Sequence, residues 1–185
     1  MNDRPYRIDL SRQMADCDAN FIRLLKLMPA LESFRIKQLQ SACAGSAKRH
    51  EEAVPARWNA DTPPERCERE FVISSPCEPG CEARVRISVV EVFAYTSTLA
   101  ITQMNRISDW VEPPAMLVRM YHDAATAEAV AYQGHRAFLA RYALPNPAIY
   151  HQDEKRQINE FLGEWLRLCL QAGRSVNTPE FFCVA

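Results

Sequence analysis

The chain has 185 residues, of which 48% are hydrophobic and 24% charged, and its formal net charge is −1. That length suffices for one domain with a real core, and the balanced charge excludes a global basic field that would draw nucleic acid or anionic membrane. Only five residues are Gly, so a Gly-rich phosphate cradle is hard to build.

From the start, MNDRPYRIDL carries no apolar signal-peptide core. No apolar run approaches the length of a membrane span. The expected compartment is the cytoplasm. Residues 9–28 then predict a helix, because Phe21, Leu24, Leu25 and Met28 recur at helical spacing after Met14 and Cys17. Asp9 or Ser11 suits its start and Pro29 its stop. A second helix is expected over 32–42, packing an apolar stripe on something flat. Residues 45–69 are charged and contain Pro. Periodicity is lost there, and the segment reads as a mobile linker or insertion within a single domain spanning 1–185.

Strands follow. A short one is expected over 70–74, and SSPCEPGCEA is turn material. Residues 83–95 alternate, with Val85, Ile87 and Val89 on one face. The pattern blurs at Val90 and Val92, which indicates a bulge or burial on both faces. Further strands are expected over 98–104 and 115–123. Residues 126–133 suit a hairpin partner, although their Ala content also permits a helix. A short last strand is expected over 138–142. The strongest helix signal is 152–172, where Ile158, Phe161, Leu162, Trp165, Leu166 and Cys169 make one stripe. Gly163 weakens that helix by about 1 kcal/mol relative to Ala, and close packing would rationalise it. Helices, consecutive strands, then one long helix predict an α+β fold. The economical form is an antiparallel meander of about five strands, with the N-terminal helices and the long C-terminal helix on its apolar face. The opposite face is expected to be more polar.

The chemistry-bearing residues are scattered. His50, His122, His135 and His151 have no helical zinc spacing. Cys67, Cys77 and Cys81 lack a convincing second pair, so free thiols are favoured over zinc or a disulfide. Neither metal nor cofactor is expected. No G-x-S-x-G nucleophile motif occurs. In VRMYHDAATAEAV, His122 and Asp123 are strand neighbours that point to opposite faces, and Asp-Ala-Ala-Thr is good turn material. The ordinary reading is a strand end and turn. The functional reading places Arg119, Tyr121 and Asp123 on one face, with Glu128 across the hairpin; its plain competitor is an Arg–Glu cross-strand pair. Arg141, Tyr142, Asn146, Asp153, Lys155 and Gln157 either form a polar rim at the sheet end or belong to a solvated helix start.

Taken together, CDANFIRLLKLMP, VVEVFAYTSTLAITQ, PPAMLVRMYHDA, RYALPNP and HQDEKRQINEFLGEWLRLCLQAG resemble the YqiB family, small bacterial proteins of unknown function. The resemblance covers the first helix and residues 85–173. The stretch from His50 to Arg66 and the Cys67, Cys77 and Cys81 positions depart from it. It implies a cytoplasmic protein and brings no reaction. It marks Arg119, Tyr121, His122, Asp123, Arg141, Tyr142, Asn146, Asp153, Glu154 and Lys155 as matching positions.

Two functions follow as expectations. The first is a non-enzymatic binding or regulatory module using the polar sheet face. The second is a small-molecule enzyme in which Tyr121, His122, Asp123 and Glu128 serve as acid/base groups and Arg119 and Arg141 orient an anion. The partners these allow are another protein, a small anionic ligand, or a second copy of the chain as a homodimer. Neither membrane nor nucleic acid is among them.

Overall fold

The computed structural model of the protein describes residues 9–44, 67–74, 82–105, 113–133, 135–136 and 154–176. The fold is α+β. Helix α1 (Leu10–Leu27) and helix α2 (Leu31–Ala44) precede strands β1 (Glu68–Ser74), β2 (Glu82–Val92), β3 (Thr96–Gln103), β4 (Ala115–Tyr121), β5 (Thr126–Tyr132) and β6 (His135–Arg136). Helix α3 (Glu154–Ala172) then leads directly into β7 (Gly173–Ser175). All pairings are antiparallel, and the sheet order is β6-β5-β4-β3-β2-β1-β7. It is the expected meander, extended by two short edge strands.

The side-chain alternation of the strands builds two unlike faces. Val85, Ile87, Val89, Leu99, Ile101, Met116, Val118 and Met120 point to one side, where Leu24 and Leu27 of α1 and Leu162 and Leu166 of α3 bury them. Asp9 caps α1, its carboxylate accepting from the Arg12 amide at 3.0 Å. The stripe of α1 turns slightly from expectation: Leu27 is buried and Leu25 is at the surface. The buried arc is Cys17, Asn20, Phe21, Leu24 and Leu27, centred near Leu24, and position 25 falls outside it. Among the described side chains of α2, Leu31 and the half-buried Phe34 pack on the core. Among the described side chains, the expected stripe does not continue along the helix: Ile36 is exposed.

Strand β2 carries a bulge between Val89 and Glu91. One extra residue lets Val92 pack on the helix side and Val90 on the other, which explains the blurred alternation. Strand β1 begins two residues before the expected Glu70. Glu68 and Arg69 therefore belong to the sheet, not to the inserted segment. Arg69 donates to the Leu27 carbonyl at 2.8 Å and lies over the Phe71 ring. The expected strand over 138–142 and residues 45–66 lie outside the described residues.

The face away from the helices departs from a simple wet surface. Ser88, Thr98, Ala100, Thr102, Leu117 and Ala131 are all buried. Ala100, Leu117 and Ala131 form a second, small apolar cluster. Charged side chains on this outer face concentrate at its two ends. Arg86 pairs with Glu70 at one end (2.6 Å), and Arg119 stands opposite Glu128 at the other.

Where α1 meets α3, a Cβ on Gly163 would come within 3.0 Å of Asn20 Oδ1 and 3.2 Å of Arg23 Nη1. This is the close packing that rationalises a mid-helix glycine. At the end of α3, a Cβ on Gly173 would collide with the Cys169 carbonyl oxygen, so glycine lets the chain turn into β7.

Candidate functional site

The β4–β5 hairpin brings the charged groups of VRMYHDAATAEAV into a defined arrangement. Backbone register aligns Glu91, Thr98, Arg119 and Glu128 in one row across β2, β3, β4 and β5. Thr98 donates to Glu91 Oε2 at 3.3 Å. Two residues on from Arg119, Tyr121 shares the outer face, and its hydroxyl donates to Glu128 Oε1 at 3.0 Å. Lys155 of α3 reaches over the β5 edge to Glu128 Oε2 at 2.7 Å. Burial, then the Glu128 carboxylate, push the Tyr121 phenol above its ordinary range, while the nearby Arg119 guanidinium opposes them.

Arg119 is the least satisfied member. Its Nε is shielded from solvent, yet it has no hydrogen-bond partner among the described residues. The carboxylate that register sets opposite it is already engaged by Tyr121 and Lys155. The guanidinium also hydrogen-bonds the Tyr121 side chain, so Nε is the donor left unmet, in a partly desolvated place.

His122 goes the other way, as strand alternation requires. It lies on the helix side in edge contact with Phe21 (ring centroids 6.1 Å apart), and its Nε2 lies 2.8 Å from Ser97 Oγ. Burial first, then the Arg35 guanidinium, lower its pKa from 6.5, while Glu32 and Asp123 oppose them. Arg35 is held by Glu32 (2.7 Å) and donates to the Ala94 carbonyl at 3.0 Å. Ser97 is fully buried beneath. A nucleophile there is out of reach of a substrate, and the pair satisfies a buried hydroxyl.

Asp123 is exposed, and its carboxylate accepts from the Ala124 amide at 2.9 Å. The strand ends at Tyr121, and residues 122–125 form the turn, with Ala125 at φ 54°. Arg119, Tyr121, Glu128 and Lys155 therefore converge, and His122 and Asp123 do not join them. Arg141, Tyr142, Asn146 and Asp153 lie outside the described residues, as do His50, His151, Cys77 and Cys81; of His135 only the backbone is described. Among the described residues, no group of His, Cys, Asp and Glu is placed to hold a metal ion. Cys17, Cys67 and Cys169 are buried free thiols. Burial pushes Cys17 and Cys169 up to about 11 and raises Cys67 as well.

Residue-by-residue reading of the sequence missed Asn159. It sits in the buried stripe of α3, where its Oδ1 accepts from the Ala129 amide at 2.9 Å. Lys155 donates to the Ala129 carbonyl at 3.1 Å. Both backbone polar groups of Ala129 in β5 are thereby capped by side chains of α3. The available signal was a polar residue three and seven places before Leu162 and Leu166, in an otherwise apolar stripe.

This α+β fold, with its outer-face row, belongs to a family without an assigned activity. A family model described as "Protein of unknown function (DUF1249)" matches residues 56–175, more than half of the chain, and the chain is a member of that family. The match includes part of the segment expected to depart from the pattern, and it leaves α1 outside. Among individual relatives, the "Uncharacterized protein YqiB" of Escherichia coli (strain K12) is 43% identical over 91 residues, covering 49% of this chain and 65% of the relative. The protein of the same name from Escherichia coli O157:H7 matches to the same extent. The matched region thus spans just under two thirds of these relatives' length. No solved structure matches the chain. No helix among the described residues is long and apolar enough to cross a membrane.

Proposed function

We propose that this is a cytoplasmic, non-enzymatic binding module, and that the β4–β5 end of the outer face takes an anionic group. The observation that carries this is the Arg119 guanidinium, with its Nε shielded and unpartnered beside an already satisfied Glu128. A guanidinium offers a planar fork of donors that matches a carboxylate or a phosphate. Either group, on a small ligand or on a protein partner, has the chemistry to complete it. Tyr121 supports binding over catalysis. Its raised pKa keeps it a phenol at neutral pH, a hydrogen-bond donor and not a base. His122, the natural proton carrier, lies on the other side of the sheet.

The test is thermal unfolding at low ionic strength with inorganic phosphate, succinate and citrate, using wild type and Arg119→Gln. A ligand at 100 times its Kd stabilises by about 2.7 kcal/mol. For a chain of this size each kcal/mol moves Tm by roughly 2–4 °C. The expected result is a saturating rise with at least one anion that disappears in Arg119→Gln. A rise of equal size in the variant, or no rise with any of the three, refutes the proposal.

A further inference from the structure

A second polar feature lies across the molecule from the Arg119 row. The outward seam between α1 and α3 opens into a groove of about 300 Å³. Gly163 and Asn20 form its floor at the closest approach of the helices. Both helices run from the β5 side of the sheet toward β1. Asn159, near the start of α3, bonds β5, and the end of α3 continues into β7 beside β1. The last turn of α1 likewise accepts from Arg69 of β1. Position along each helix therefore maps onto position along the groove.

Charge is graded along that axis. The β5 half holds Arg12 and Asp16 of α1 and Glu160 of α3, one positive and two negative groups. The β1 half holds Arg23 of α1 and Glu164 and Arg167 of α3, two positive groups and one negative. Seven residues separate Asp16 from Arg23 and Glu160 from Arg167, which is about 10 Å of helix axis at 1.5 Å per residue. The acidic end is incompletely satisfied. Asp16 Oδ2 and Glu160 Oε1 are both shielded from solvent without a hydrogen-bond partner. Glu160 Oε1 does have guanidinium nitrogens of Arg12 and Arg156 at 3.4 and 3.7 Å, but Asp16 has no ion pair among the described residues. At the other end Arg23 uses Nη1 to bond Asn20 Oδ1 (2.8 Å), and Arg167 is exposed with no ion pair among the described residues.

We propose that this groove binds a small zwitterion of the amino-acid or dipeptide class, its ammonium at Asp16 and its carboxylate at Arg23 and Arg167. A lone anion leaves Asp16 Oδ2 without a donor, and a lone cation brings no acceptor to Arg167, which has no ion pair among the described residues. A dipolar ligand supplies both, and buried polar atoms favour the occupant that satisfies them. This inference does not rest on the Arg119 reading, because the two sites share no residue.

The test is an amide-resolved NMR titration of the full chain with three matched probes. Glycylglycine carries both charges, glycylglycinamide only the ammonium, and N-acetylglycylglycine only the carboxylate. The expected result is a saturable shift of the Gly163 amide and the Asn20 side-chain amide with glycylglycine. Each blocked analogue should bind at least about tenfold more weakly, and Asp16→Asn should weaken glycylglycine by a similar factor. Arg119→Gln should leave these shifts unchanged. No saturable shift with glycylglycine makes the groove a solvated seam and overturns the proposal. Equal binding of either blocked analogue overturns it as well, because the groove then reads one charge only. The probe comparison on wild type decides the matter even where a variant folds poorly.

Discussion

Replacing Asn159 by Ala tests how α3 holds the sheet edge. The side chain is 1% exposed. Its Oδ1 accepts from the Ala129 amide (2.9 Å) and its Nδ2 donates to the Lys155 carbonyl (2.9 Å). Alanine removes both bonds. It leaves the Ala129 N–H buried without a partner, at about 1–3 kcal/mol for such an unmet donor. Losing the second bond adds about 0.5–1.5 kcal/mol. The better helix propensity of Ala returns roughly 0.5 kcal/mol. The net expectation is a destabilisation of about 1–4 kcal/mol, read as a lower urea midpoint at unchanged m-value. Amide exchange adds a local signature, since the Ala129 N–H should lose protection beyond the global change. A midpoint shift worth less than about 0.5 kcal/mol, or an Ala129 amide as protected as before, would refute the edge-capping argument.

Further outcomes follow from the same geometry. Leu162→Ala should cost about 2–5 kcal/mol, since Leu162 is fully buried between α1 and the sheet, and normal melting would contradict the helix-on-sheet packing. Gly163→Ala should destabilise by about 1–2 kcal/mol despite the gain in propensity, because Asn20, bonded through both its side-chain atoms, cannot give way; a higher urea midpoint would show that it can. Ala125→Gly should stabilise by about 0.5–1 kcal/mol, since Ala125 holds φ 54° in an exposed turn. The folded-state pKa of His122 lies below 6.5, so the unfolded chain binds its proton first. Its contribution to stability is therefore lost as pH falls from 6.5 toward the folded value; His122→Asn should flatten that slope in pH-dependent urea titrations. Cys17, Cys67 and Cys169 should resist iodoacetamide in the native protein at pH near 8 and react once denatured, as read by peptide mass spectrometry.

The fold was largely legible because its core elements obey simple periods. Leu162, Trp165, Leu166 and Cys169 recur at helical spacing and are buried, and Val85, Ile87 and Val89 alternate toward the helices. The bulge was visible as a fault in the alternation at Val90 and Val92. Strand β7 was not visible, because three residues after a helix carry no period of their own; pairing with Phe71, Val72 and Ile73 defines them. The docking of α2 through Leu31 and Phe34 depends equally on what lies beneath it.

The site was legible in part. Alternation separated Tyr121 from His122, and the hairpin put Glu128 opposite Arg119. That Lys155 would cross the sheet edge to reach Glu128 depends on how α3 lies over β5, which no local pattern encodes. Burial of the outer face was also hidden. Ser88, Thr98, Ala100 and Thr102 are small or polar and read as a wet surface, yet they are buried within the fold.

The most direct test of the anion-binding reading observes the Arg119 guanidinium itself. In an arginine-selective NMR spectrum, its Nε–H should give a distinct resonance, identified by its absence in Arg119→Lys. Addition of inorganic phosphate or succinate should move that resonance saturably and leave the Arg86 signal, already paired with Glu70, in place. An Arg119 signal that stays still while both anions are raised to saturating levels of about 50 mM would contradict the account.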